Sequence, residues 1–293
     1  MIHRKRLTLA ALFAAAVIST LPACGGGGGS ADPSPTPAPG PATPSAPAPV
    51  SAPPPATGAT ASSCFENRTR VIGETTVLEF ETITPSTSPN LTVTGTDRSD
   101  SILVSANATF EGQTGLYQDD GNGTASNTIL GQTTTSNATG KIYTGSTATG
   151  AFISYGAVIK ALDTVPSSGP KRQETFKTVF NPPLVETRGN LAEGASQTSM
   201  SNGVMTITLA DGTVEPSTAS KSSVTTKYVG KETVTVPAGT FYACKFESTT
   251  DVSSVISTSW VYRSRTIKFS APVAGGGTQI GQLKFARING APL

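Results

Sequence analysis

The chain has 293 residues, 14% charged and 6% aromatic, with 21 Lys and Arg against 19 Asp and Glu. Three of those bases, Arg4, Lys5 and Arg6, crowd the N-terminus, which leaves 18 bases against 19 acids and no basic excess for nucleic-acid binding. The single histidine is His3, so the remainder can build neither a Ser-His-Asp or Cys-His catalytic group nor the common His-based zinc, copper or non-haem iron sites.

The first element is a positive start, His3 to Arg6, followed by an uncharged apolar run from Leu7 to Leu21. That run has the length of a signal-peptide core and falls short of the ~20 residues a spanning helix needs. It closes on Leu21-Pro22-Ala23-Cys24, which resembles the lipobox of bacterial lipoproteins. The resemblance implies a signal peptide over residues 1–23, removed after diacylglycerol is attached to the Cys24 thiol, with a further acyl chain such as palmitate on the freed amine. Two or three acyl chains, each buried methylene contributing ~0.8 kcal/mol, anchor a protein firmly. Gly25 stands where Gram-negative lipoproteins retained at the inner membrane carry Asp, so the implied location is the outer membrane, at its periplasmic face rather than the cell surface. Residues 24–63 read as lipid anchor and disordered linker: five glycines, then a Pro/Ala/Ser/Thr run holding half of the chain's 22 prolines. Such a run forms neither a helix nor a central strand and acts as a semi-rigid spacer.

Residues 64–293 form the expected folded unit. Short alternating runs rich in Thr, Ser and Val recur throughout: Thr75–Thr82, Ser101–Phe110, Thr128–Thr134, Ala151–Ile159, Glu174–Phe180, Val204–Ala210, Ser223–Val229, Thr240–Thr249, Ser253–Tyr262, Arg265–Ser270 and Gln279–Ile288. Residues 66–72 give a further candidate strand. Turn residues separate these runs at Asp119-Asp120-Gly121-Asn122-Gly123, Ser201-Asn202-Gly203 and Ala210-Asp211-Gly212. This pattern predicts an all-β fold, an antiparallel curved sheet arranged as a sandwich or partly closed barrel. Gly156–Val165 comes nearest to a helical period without sustaining it.

Cys64 and Cys244 remain once Cys24 is acylated, and in an oxidising compartment they are expected to form a disulfide. The stretch Tyr228–Glu247 carries Val236-Pro237-Ala238-Gly239-Thr240-Phe241, in which Pro237 presets a turn and Gly239 closes it. It resembles a V-P-A-G-T-F hairpin of β-rich envelope and lipoprotein families of Gram-negative bacteria, and the resemblance implies curved antiparallel sheet and no activity.

Few catalytic patterns survive without histidine. Ser168-Gly169-Pro170-Lys171 spells S-x-x-K, but Gly169 and Pro170 disfavour the helix that would align Ser and Lys. Asp119–Gly123 lacks the spacing and closing Glu of a calcium loop and reads as a solvated hairpin tip. Glu79 and Glu81 share one strand face, usually a solvated one. Arg263, Arg265 and Lys268 around Trp260 and Tyr262 read as charges guarding an edge strand. No catalytic, cofactor or metal site is therefore assigned, and the expectation is a non-enzymatic lipoprotein whose β domain binds or supports something in the envelope. Candidate partners are the membrane through the anchor, an envelope protein, peptidoglycan or lipid. The alternatives are a carrier of a lipid or small hydrophobe in a sheet cavity, an enzyme using carboxylates or Ser and Lys, and, less favoured, a transmembrane barrel.

Overall fold

The computed structural model describes residues 59–66, 68–85, 92–129, 131–148, 150–164, 172–251, 253–273 and 277–293. The lipobox with Cys24, the Ser168–Lys171 motif and most of the linker lie outside these residues. Twelve long strands follow in chain order: β1 (Thr75–Pro85), β2 (Thr92–Phe110), β3 (Gln113–Ile129), β4 (Gln132–Ser146), β5 (Phe152–Thr164) and β6 (Arg172–Val185), then β7 (Ser196–Leu209), β8 (Thr218–Val236), β9 (Gly239–Thr250), β10 (Ser253–Tyr262), β11 (Arg265–Pro272) and β12 (Thr278–Ile288). A two-residue β13 (Ala291–Pro292) doubles back on β12. Each strand pairs antiparallel with its neighbour in sequence, and β1 also pairs with β12, with Thr76 opposite Ile288 and Ile83 opposite Ile280. The sheet is a closed up-and-down barrel. The sandwich alternative falls away, and closure leaves β1 to β12 without an edge strand.

Two of the three expected turns are strand interior. Asp119–Gly123 is the middle of β3, where Asp119 to Gly123 face Leu103 to Ser99 of β2 on one side and Ile142 to Ala138 of β4 on the other. Ser201–Gly203 likewise lies within β7, whereas Ala210–Gly212 does turn the chain. Asn, Asp and Gly favour turns only weakly, and two paired neighbours override that preference. Residues 68–71, within the predicted 66–72 strand, are irregular, and Phe152–Thr164 is strand throughout. The Val236–Phe241 hairpin turns on Pro237-Ala238 alone, with Val236 paired to Gly239 at φ +139°.

Register fixes what faces the lumen, because side chains alternate with period two. One ring runs Thr76, Ser101, Gly121, Gly140, Ile159, Phe176, Ile207 from β1 to β7. It is small on β2 to β4 and bulky on β5 to β7, where Ile159 and Phe176 pack with Ala138 and Ala161. A second cluster joins Leu78, Phe80, Leu283 and Ile267 to Val234 and Val236 of the β8–β9 hairpin, whose Ala238 amide donates to the Leu283 carbonyl at 3.0 Å. The β2–β3 tip packs on the outer side of β4 to β6, where Phe110 stacks on Tyr143 with centroids 4.2 Å apart. Gly156 permits this, since a Cβ there would sit 2.1 Å from the Thr178 carbonyl and 2.7 Å from the Phe110 ring.

Candidate functional site

In an up-and-down barrel alternate connections share an end, so the β6–β7 loop, the β10–β11 turn and the start of β1 lie together. Residues 60–66 and 68–74 close that end as a plug. Thr60 bridges Ala192, the Ala61 amide donates to the Leu191 carbonyl at 2.9 Å, and Ala61–Cys64 form one 3-10 turn. Cys64 and Cys244 are joined in a disulfide, Cα to Cα 6.0 Å, as expected from the sequence. Around it Ala61, Leu191, Tyr228, Phe246 and Val261 are buried, so the plug is held by an apolar anchor as well as a covalent one.

Beyond the anchor the plug becomes ionic. Arg263 pairs with Glu66, Glu66 with Arg68, Arg68 with Glu74, Glu74 with Arg70, and Arg70 with Asp119 across the lumen on β3. Six side chains thus alternate in sign from the rim to the interior. The Arg70–Asp119 link is a two-pronged fork, with Nη1 to Oδ2 at 2.8 Å and Nη2 to Oδ1 at 2.5 Å. The Arg70 guanidinium also lies 5.9 Å from the centre of the Tyr117 ring. Asp119 is therefore buried and paired, which corrects its reading as a solvated tip.

The electrostatics follow from burial and contact. Desolvation alone would raise the Glu74 carboxyl, but hydrogen bonds and charge from Arg68 and Arg70 outweigh it and hold it below the usual range. Burial likewise works against the Arg70 charge, and its bonds to Asp119 and the nearby Glu74 carboxylate more than restore it. Nearby, Arg188 grips its neighbour Glu186 and lies over the Phe65 and Phe246 rings, at 5.6 and 5.3 Å.

Beside this chain the lumen holds a cavity of about 450 Å3. The small residues Ser99, Ser101 and Gly121 make the room for it, and Leu78, Ile142 and Phe152 give it an apolar wall. Arg68, Arg70 and Arg265 together with Glu66, Asp100, Asp119 and Glu186 give it a charged one. Thr144 also lines it, and its buried hydroxyl has no hydrogen-bond partner among the described residues.

Arg265 was read as a guard on an edge strand; with the barrel closed it lines the cavity instead, on a strand paired on both sides. Glu79 and Glu81 alternate with the lumen-facing residues of β1, and Glu79 pairs with Lys284 and Arg98. Trp260 lies between the Lys245 and Lys268 ammonium groups, at 5.6 and 5.1 Å, and donates to Glu232. Asp97 faces the lumen opposite Phe80, and burial pushes its carboxyl up to about 6. Sequence reasoning missed Glu66, Arg68, Arg70 and Glu74; the available signal was four charges within nine residues of a chain only 14% charged. No protein family, curated protein or solved structure matches this chain.

Proposed function

We propose that the chain is an outer-membrane lipoprotein, anchored through acylated Cys24 and held off the membrane by its Gly/Pro-rich linker, whose barrel binds a small ligand in its lumen. The cavity of about 450 Å3 carries the reading, because it falls in the 300–1,000 Å3 range of ligand sites and combines apolar walls with a few converging polar groups. Its guanidinium and carboxylate groups favour a polar ligand over the hydrophobic cargo that a carrier of lipid would take. The outer face supports a barrel surrounded by water. It carries the ion pairs of Glu79 with Lys284 and of Lys177 with Glu111, and ladders such as Ser126–Thr135 and Thr128–Thr133. Such groups are costly against lipid. The carboxylates at the cavity are engaged by arginines, which supports binding over acid–base chemistry. Because Thr60 enters at the plugged end, the tether holds that end toward the membrane.

Two measurements test this. Native mass spectrometry of the protein isolated from its own envelope should show a non-covalent small-molecule adduct; consistent absence of any adduct would refute ligand binding. Cys24→Ser should abolish palmitate labelling, and persistent labelling would refute the anchor.

A further inference from the structure

The charge chain along the plug is balanced: Arg263, Arg68 and Arg70 alternate with Glu66, Glu74 and Asp119. Arg265 stands outside it. Among the described residues its side chain makes one hydrogen bond, from Nη1 to the Ser264 carbonyl at 3.3 Å, and no carboxylate pairs with it. Burial pulls its pKa below the ordinary arginine value, the neighbouring Arg70 and Arg68 charges add to that, and the Glu66 and Glu74 carboxylates offset it only in part. A half-buried guanidinium in such a place is a standing cost unless a counter-charge meets it.

The backbone that presents Arg265 is also strained. The β10–β11 turn places Arg263 at φ +49° and Ser264 at φ +62°, left-handed conformations that non-glycine residues rarely adopt. The plug clamps this turn from both sides: the Ser264 amide donates to the Cys64 carbonyl at 2.8 Å, and the Glu66 amide donates to Ser264 Oγ at 2.7 Å. Disulfide, plug and turn thus hold one uncompensated cation against the cavity wall.

We propose that Arg265 is the anchor for a small organic monoanion, a monocarboxylate whose apolar body lies against Leu78, Ile142 and Phe152. The charge count selects the valence. One excess positive charge is neutralised by one negative charge, whereas a dianionic phosphate would bring surplus negative charge beside Glu66 and Glu74. The planar fork of a guanidinium matches the two oxygens of a carboxylate. On the far wall the unpartnered Thr144 hydroxyl offers a second polar contact for a substituent on the acid. This inference rests on the reading of the lumen as a ligand site and names the chemistry of that ligand.

The test uses the mature full-length chain in detergent at constant ionic strength, with hexanoate and benzoate as probes and hexanamide and benzamide as neutral isosteres, followed by calorimetry. Each acid should bind at least about tenfold tighter than its amide, the discrimination expected of a charge-assisted hydrogen bond. Arg265→Met should erase that preference, bringing the affinity of each acid down to that of its amide, and Arg265→Lys should retain part of it. Ligand-free Arg265→Met should also melt higher than the wild type, because a group kept for binding is a burden on the fold. Equal binding of acid and amide to the wild type would overturn the monoanion inference and leave the lumen as a ligand site. A preference that survives Arg265→Met would overturn the assignment to Arg265. No binding of either probe class at millimolar concentration would overturn the monoanion inference, while the native mass spectrometry adduct decides separately whether the lumen is a ligand site.

Discussion

Asp119→Asn is the sharpest probe of the charge chain. The substitution preserves shape and one oxygen acceptor, but turns the second prong of the Arg70 fork into an amide facing a guanidinium, donor against donor. The Arg70 and Asp119 side chains are only 20% and 10% exposed, so water compensates little. One charge-assisted hydrogen bond contributes roughly 1.5–3 kcal/mol, and removing one partner of a buried pair costs roughly 3–5 kcal/mol. Glu74 still stands 3.5 Å from Arg70 Nε and recovers part of the loss. The expected cost is therefore about 2–3 kcal/mol. Replacing both partners, Arg70→Met with Asp119→Leu, leaves no orphaned charge and should cost less than Asp119→Asn alone. Urea unfolding of the wild type, Arg70→Met, Asp119→Leu and their double variant, followed by circular dichroism, gives the coupling through a double-mutant cycle. In 1 M salt the coupling should persist, as a surface pair's would not. Two results would refute the reasoning: Asp119→Asn within about 0.5 kcal/mol of wild type, or single costs that simply add.

Other outcomes are equally specific. Asp97, raised to about 6 against an ordinary 3.8, is protonated in the fold while the unfolded chain is ionised, so this group's contribution is present at low pH and lost as pH rises toward 6. Unfolding at pH 5 and 7.5 should show Asp97→Asn gaining about 1–1.5 kcal/mol on the wild type between the two; equal pH profiles would exclude the effect. The Cys64–Cys244 bond spans a sequence separation of 180, and its entropic contribution is at most about 5 kcal/mol. Cys64→Ser with Cys244→Ser should lower the denaturation midpoint sharply and speed amide exchange at Ala61 and Glu66, and an unchanged midpoint would contradict the anchoring role. Gly156→Ala forces a Cβ onto the Thr178 carbonyl and the Phe110 ring, so thermal unfolding should fall by several degrees, whereas an unchanged melting temperature would mean that the β2–β3 tip does not pack there.

Strand alternation was legible in the sequence because it is a local property. Thr75–Thr82 and Ser223–Val229 show it residue by residue, and in a meander each strand pairs with its neighbour in the chain. Turns were read less well. Asp119–Gly123 has every mark of a hairpin tip, yet two flanking strands hold it extended; local preference amounts to tenths of a kcal/mol per residue, and a ladder on both sides outweighs it. The disulfide was legible by counting, since Cys64 and Cys244 are the two cysteines besides Cys24.

The site was not legible, and the reason is distance along the chain. Arg70 and Asp119 are 49 residues apart, Glu66 and Arg263 197, and no periodicity links them. By itself the sequence determined the all-β class, the Gly/Pro-rich composition before it and the absence of histidine beyond His3, because these depend on composition and on neighbours. Closure of β1 on β12 decided the rest. It turned the small residues of β2 to β4 into the wall of a cavity, carried a charge-dense segment into the lumen, and left the Arg265 cation unpaired. Burial makes each of those charges matter, and burial exists only once the barrel is shut.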